Sequence, residues 1–227
     1  HAGARHALPL LKRIRKILGE KVKKVITDGK IPVVIGGEHS VSLAPIEAAA
    51  AIYPELTVVQ FDAHADLRSE YNGSPYSHAS VIRRVLELPQ PPRRVIQIGI
   101  RSMCPEEIRF VRDSGKVTIL WGKDITADDA GRHLRMPPLK KITGKVYITI
   151  DMDAFDPSEV PAVGTPEPGG IRWHQAVDIL SVIIGSADVV GFDVVELAPL
   201  RDGVASQFLA AKLIYRIMGL IERKQRT

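Results

Sequence analysis

Short apolar runs alternate along the chain with longer segments in which apolar and polar residues recur at helical spacing. The runs are rich in β-branched residues and lie at 33–35, 57–61, 95–100, 117–121, 146–150 and 189–195. They are continuously apolar, which is typical of strands buried on both faces of a parallel sheet. Helices are predicted at 8–28, 43–53, 78–87, 105–114, 173–185 and 207–224. This order predicts an α/β protein, and six runs favour an open, three-layer sheet over a closed barrel.

Side chains of the types that bind metals follow three of the predicted strands. The carboxyl ends of parallel strands open into one crevice, so side chains at these positions are expected to converge. Alternate residues of an extended segment also point the same way, which brings ligands at every second position together. The six residues are His39 after the first strand, Asp62, His64 and Asp66 after the second, and Asp151 and Asp153 after the fifth.

This group of side chains predicts bound cations. Four aspartates packed together would repel and raise one another's pKa values unless positive charge lay among them. Six ligands exceed the needs of one tetrahedral zinc, and shared carboxylates suit two neighbouring ions. The oxygen-rich set without thiolate favours Mn²⁺, while Zn²⁺, Fe²⁺ and Co²⁺ stay open. One such aspartate alone would more often cap a helix or form a turn, but three clusters favour metal.

Three segments resemble the metal motifs of the ureohydrolases, the arginase and agmatinase family, in that family's order. They are 36–40 (GGEHS), 62–66 (DAHAD) and 151–157 (DMDAFDP). Three ordered motifs are far more specific than one short pattern. The resemblance is closest to agmatinase, and it implies a three-layer α/β/α sandwich with a mainly parallel sheet, the arginase-like fold. Glu38 departs from the aspartate usual before the histidine, but this is not a ligand position.

The resemblance also implies roles for the six ligands and for two further residues. Asp62 and Asp151 would bridge two Mn²⁺ ions, a hydroxide shared by these ions would attack the guanidinium carbon, and Glu196 would pair with the planar guanidinium. His78 would give the leaving amine its proton, although a helix cap or a buried position is a real alternative for it. The remaining ligands divide between the two ions, His39 with Asp66 and His64 with Asp153.

The substrate is predicted to be agmatine, which gives putrescine and urea and places the enzyme in polyamine and putrescine biosynthesis. Segment 72–78 lacks the Asn-x-His-Gly arrangement of arginases, while 164–170 and 193–196 resemble agmatinases. Asn72 and Glu167 are expected at the substrate rim, and a purely structural loop position is nearly as good an account of Glu167. Aminopropylagmatine, arginine, guanidinobutyrate and formimidoylglutamate stay open as substrates. A mononuclear zinc deacetylase-like hydrolase and a basic nucleic-acid module are rivals from other classes.

Composition and charge limit the domain organisation, the partners and the location that we expect for the chain. The 227 residues, 45% hydrophobic, contain no low-complexity linker, so one ureohydrolase domain over 1–227 is expected. The strand that usually opens the family's fold is either absent from it or not resolved. The net charge of +5 is dispersed and interleaves with apolar residues at helical spacing, so no nucleic-acid partner is expected. No apolar stretch or leader suggests a membrane, and Cys104, the single cysteine, fits a reducing cytoplasm. The resemblance implies a homo-oligomer, a trimer or hexamer, that binds a small guanidino substrate.

Overall fold

The computed structural model describes residues 2–127, 137–201 and 203–226. All six predicted strands form: β1 Val33–Ile35, β2 Thr57–Phe61, β3 Arg94–Ile100, β4 Val117–Trp121, β5 Lys145–Asp151 and β6 Asp188–Val195. The helices are α1 Ala2–Thr27, α2 Leu43–Ile52, α3 Val81–Leu86, α4 Pro105–Ser114, α5 Gly122–Thr126, α6 Pro137–Lys140, α7 Trp173–Ser186 and α8 Ala205–Gln225. Three short 3-10 turns complete the list. One, His39–Ser42, follows β1; a second, His78–Ser80, precedes α3; and the third, Met152–Ala154, follows β5.

The strands form one six-stranded sheet in the order β1-β6-β5-β2-β3-β4, and each neighbouring pair is parallel. Phe61 at the end of β2 lies opposite Ile150 of β5 and Ile98 of β3. The central strands β5 and β2, which carry five of the six predicted ligands at their ends, are therefore direct neighbours. Strand order thus brings these ligands to one edge of the sheet.

Helices cover both faces of the sheet, and the predicted three-layer sandwich is confirmed. Adjacent residues of β2 face opposite layers: Val58 packs in one apolar cluster and Val59 in the other. The Val58 cluster includes Ile46 of α2 and Ile82 of α3, while the Val59 cluster includes Leu213 of α8. Both faces of β2 are thus buried, which explains why its sequence is continuously apolar. None of the helices in the described ranges is long and apolar enough to cross a membrane.

The structure differs from the sequence prediction at the start of α1. The helix begins at Ala2 instead of residue 8. Residues 2–7 carry no apolar stripe, so periodicity does not reveal them, but three of the six are alanine, which has the highest helix propensity.

Candidate metal centre

His39 reaches the sheet edge through two glycines after β1. Gly36 and Gly37 have φ values of +79° and +90°, in the left-handed region that glycine adopts without steric cost. Gly36 N donates to Val194 O at 2.8 Å, and Glu196 N donates to Gly37 O at 3.0 Å. These bonds continue the pairing of β1 with β6 and deliver His39 to a fully buried position.

Three carboxylates surround Nδ1 of His39. The Oδ2 atoms of Asp62, Asp66 and Asp151 lie 3.1, 3.0 and 3.2 Å from this nitrogen. The nitrogen is buried, and no described residue completes a hydrogen bond to it. One imidazole nitrogen with three carboxylate oxygens within 3.2 Å of it is a donor set that suits a divalent cation.

A second cluster shares Asp62 with the first. His64 Nδ1 lies 3.0 Å from Asp153 Oδ2 and 3.7 Å from Asp62 Oδ1. Ligand atoms of His39, Asp62 and Asp151 lie within 4.8 Å of one another, and so do those of Asp62, His64 and Asp153. The two oxygens of Asp62 therefore face different clusters, an arrangement that fits a carboxylate bridging two cations.

Backbone amides fix the orientation of these carboxylates. Asp62 Oδ1 accepts from His64 N at 2.6 Å, and Asp151 Oδ1 accepts from Asp153 N at 2.8 Å. Asp153 Oδ1 accepts from Ala63 N at 3.0 Å. An aspartate that accepts from the amide two residues further on forms an Asx turn, so the spacing of the motifs itself orients the first two side chains.

The carboxylates perturb one another strongly. Burial and the charge of Asp62 raise the pKa of Asp66 to about 7 and raise the pKa values of Asp151 and Asp153. Burial also opposes ionisation of Asp62, but the interactions with the neighbouring His39 and His64 lower its pKa below the usual value. Burial lowers the pKa of His64, yet Asp153 and Asp62 outweigh it and raise that pKa to about 11. Such an array of buried acids is favourable only with positive charge among them.

Two buried side chains, Thr149 and Asp193, fix the ring of His39 and are called the relay below. Its Nε2 lies 3.0 Å from Thr149 Oγ1, and the Thr149 hydroxyl donates to Asp193 Oδ1 at 2.6 Å. Both relay residues are fully buried. With Thr149 donating to Asp193, its oxygen accepts from Nε2–H, which leaves the lone pair of Nδ1 toward the carboxylates. Sequence reasoning missed this relay, and the available signal was a polar residue inside each of two buried strands.

His78 lies beside Glu38. Glu38 Oε1 accepts from His78 N at 2.6 Å and lies 3.0 Å from His78 Nδ1. The hydrogen bond to Glu38 raises the pKa of His78 and outweighs the opposing effect of burial. Glu38, which the sequence marked only as a departure from the family pattern, is therefore the residue that holds His78. The two are 40 positions apart, so no local spacing could reveal the pair.

Glu196 and Glu167 lie at the same edge as the clusters. Glu196 Oε1 accepts from His39 N at 2.6 Å, and burial raises the pKa of Glu196. Glu167 Oε1 lies 3.7 Å from His64 Nε2. Asn72 lies further out: it is exposed, and with Gly73 it occupies a two-residue turn in which both φ values are positive. A substrate role for Asn72 stays a prediction.

A cavity of about 160 Å³ opens beside the second cluster. His64 and Asp66 of the clusters line it together with His78, and its further walls include Arg68, Tyr71 and Thr165. A small molecule in this cavity would contact both the ligand clusters and the histidine held by Glu38.

The chain matches the model of the arginase family over residues 7–219. It is 40% identical over 202 residues to an N(1)-aminopropylagmatine ureohydrolase from Synechocystis sp., covering 88% of this chain and 64% of that relative. It is 35% identical over 212 residues to an agmatinase from Halalkalibacterium halodurans, covering 91% and 69%. Among solved structures, the agmatine ureohydrolase of Thermoplasma volcanium superposes with a TM-score of 0.82 at 35% identity, covering 95% of this chain and 71% of that one.

Proposed function

Because the chain belongs to the arginase family, we propose that it is a hydrolase with two Mn²⁺ ions that cleaves the guanidino group of agmatine to urea and putrescine. The observation that carries the proposal is the pair of ligand clusters that share Asp62 beside a cavity lined by His78. Family membership itself, predicted from the three motifs, is confirmed. The oligomeric state and the cytoplasmic location stay predictions.

The first cation would be held by His39, Asp62, Asp66 and Asp151, and the second by His64 and Asp153 together with the bridging Asp62 and Asp151. When bound, two divalent cations would supply a water of lowered pKa that acts as a nucleophile near neutral pH. One Glu196 oxygen is held by the His39 amide, which orients the carboxylate at the sheet edge. The other oxygen is then available to an N–H of the substrate guanidinium, and this contact would hold the carbon over the metals.

His78 would donate a proton to the leaving amine. A departing amine needs a proton to avoid leaving as an unstable anion, and a positioned imidazolium supplies it. Glu38 holds the His78 ring through Nδ1 and favours its protonated form. The second ring nitrogen, Nε2, would then deliver the proton to the substrate. This pairing supports the catalytic prediction for His78 over a purely capping role.

The position of Glu167 favours a substrate with a cationic tail over one that carries an α-carboxylate. Its carboxylate lies next to His64 at the edge of the site, where it would repel a substrate carboxylate and tolerate a cationic tail. Aminopropylagmatine is the second candidate, because the Synechocystis relative is named for it at 40% identity. Agmatine and aminopropylagmatine share the guanidino end and differ only in the tail that passes the rim.

The test is direct measurement of urea from agmatine, aminopropylagmatine and arginine in one Mn²⁺ buffer, with a metal-free control. We expect kcat/KM for agmatine to exceed that for arginine. A preference for arginine would refute the agmatine assignment and leave the ureohydrolase proposal standing, whereas no urea from any guanidino compound would refute both. Elemental analysis after Mn²⁺ loading should approach two equivalents per chain, and one equivalent would favour a mononuclear hydrolase.

A further inference from the structure

Arg101 ties together three segments around the second ligand cluster. It directly follows β3, and among the residues that the structure describes its guanidinium donates only to backbone carbonyls. Nη2 donates to Asp153 O at 2.7 Å and to Glu167 O at 2.8 Å, and Nε donates to Pro168 O at 3.1 Å. Nη1 donates to Gly99 O at 3.1 Å. The planar fork of arginine can serve several acceptors at fixed angles, which a lysine ammonium cannot reproduce.

The backbone of Arg101 holds the other half of the same cluster. Arg101 N donates to Ala63 O at 2.9 Å, and Ala63 lies between the ligands Asp62 and His64. Ala63 N in turn donates to Asp153 Oδ1 at 3.0 Å. One residue therefore joins the segment of Asp62 and His64, through its main chain, to the segment of Asp153, through its side chain.

The loop 164–170 depends on the same attachment. Two of its carbonyls, those of Glu167 and Pro168, accept from Arg101, and Thr165 Oγ1 donates to Asp153 Oδ2 at 3.1 Å. The loop also places Glu167 Oε1 3.7 Å from His64 Nε2. Movement of Arg101 would therefore shift a ligand and the rim carboxylate together.

Tight packing leaves Arg101 little freedom. Gly99 has φ +97°, and a Cβ there would lie 3.1 Å from Asp62 O and 2.9 Å from Ile171 Cδ1. A Cβ at Gly122 would lie 2.8 Å from Gly99 O and 3.5 Å from Arg101 Cδ. These two glycines let the end of β3 pack closely against the segment of Asp62 and against the start of α5, beside the Arg101 side chain.

We propose that Arg101 is a positioning residue that aligns the second cluster, Asp62, His64 and Asp153, with the loop 164–170. Occupancy of the second cation and binding of the substrate tail then depend on the Arg101 side chain, which holds Asp153 and the loop. The cation beside His39 does not depend on this side chain, because the segment of the shared Asp62 is held by the Arg101 main chain, which a side-chain substitution keeps. The inference rests on the proposed two-ion function. A misplacement of about 1 Å is enough to cost on the order of 10²-fold in a reaction that depends on orientation.

The test compares Arg101→Lys with a matched control, Arg94→Lys. Arg94 is the first residue of β3, so it lies at the opposite end of this strand from Arg101. Its guanidinium also donates to a backbone carbonyl, Lys141 O, at 2.6 Å. Mn²⁺ titration is followed by electron paramagnetic resonance and elemental analysis. We expect coupled two-ion spectra from wild type and R94K. For R101K we expect an uncoupled one-ion spectrum at the same Mn²⁺ concentration, with the second affinity about 10- to 100-fold weaker.

Steady-state kinetics and hydrogen exchange distinguish a failure of this inference from a failure of the two-ion function. At saturating Mn²⁺, R101K should raise KM for agmatine more than it lowers kcat. In metal-free protein, hydrogen exchange across 164–170 should be faster in R101K than in R94K, whatever the wild-type metal count proves to be. If wild type binds fewer than two ions, the two-ion function fails and this exchange comparison alone judges the role of Arg101.

R101K with wild-type second-ion affinity would overturn the inference while leaving the proposed function intact. Equal loop exchange in the two variants would overturn it as well. An R101K protein that is unfolded by circular dichroism would also do so, because Arg101 would then serve the whole fold and not the second cluster.

Discussion

Replacing Thr149 by valine should weaken the cation beside His39 without removing any ligand. The substitution keeps the size and β-branching of the side chain but deletes the hydroxyl that links His39 Nε2 to Asp193. Nε2–H would then be buried without an acceptor, and the Asp193 carboxylate would lose its donor at 2.6 Å. The other tautomer, protonated at Nδ1, would point its proton at the three carboxylates where the cation binds.

The expected magnitude follows from these two losses. An outer partner of a metal-bound histidine typically contributes 10- to 100-fold in metal affinity, about 1.4 to 2.8 kcal/mol. The Nε2–H group, buried and left without an acceptor, also costs about 1–3 kcal/mol of folding stability. We therefore expect both a weaker first Mn²⁺ site and a lower unfolding free energy in T149V.

Thr57→Val is the matched control. Thr57 is also a buried strand threonine, and it accepts from Arg94 Nε at 3.2 Å at the opposite end of the sheet. Calorimetric Mn²⁺ titration should give T57V wild-type affinity, T149V an affinity about 10- to 100-fold weaker, and Thr149→Ser a value near wild type because the hydroxyl is kept. Equal affinities in T149V and T57V would refute the relay, and so would a T149S protein as weak as T149V.

Three further predictions concern the ligands and the proton donor. Asp151→Asn should lose metal and activity together because it removes a bridging charge, whereas Asp156→Asn in the same motif should retain metal; elemental analysis distinguishes them. His78→Ala should keep both ions yet lose about 10²- to 10⁴-fold in kcat, and near-normal turnover would make His78 structural. Glu38 raises the pKa of His78 and so keeps it protonated to higher pH. Glu38→Gln should therefore shift the alkaline limb of the kcat profile to lower pH, and an unmoved limb would exclude His78 as the acid.

The sequence was sufficient to predict which residues share the sheet edge, because that prediction needs only the position of each residue relative to the nearest strand. A continuously apolar run marks a buried parallel strand, and the residues after it lie at its carboxyl end. This reasoning predicts that Asp62 and Asp151 share one edge without any knowledge of the strand order. The structure then brings these ends together, because β2 and β5 are direct neighbours.

The positioning residues could not be predicted in this way, because each acts on a partner that only strand order brings close. Thr149 lies opposite Asp193 because β5 pairs with β6, and the two residues are 44 positions apart. Arg101 contacts Asp153 across 52 positions. Their sequence signal is one polar residue in or directly after an apolar run, which fits a solvent-facing strand end equally well.

Backbone strain at the site shows that tertiary contacts impose its final geometry. Asp66 and Glu196 have φ values of +55° and +62°, in the left-handed region that costs a non-glycine residue roughly 1–2 kcal/mol. Aspartate visits this region more often than glutamate does, but both carry the steric cost of a Cβ, so surrounding bonds must hold the conformation. The amides of Ile82 and Arg83 both donate to Asp66 O at 3.1 Å, and Glu196 N donates to Gly37 O at 3.0 Å. Each strained residue directs a carboxylate at His39, Asp66 toward Nδ1 and Glu196 toward the amide. The strained backbone therefore lies at the two residues whose carboxylate orientation matters for metal and substrate binding. Local sequence preference alone would not give these carboxylates that orientation.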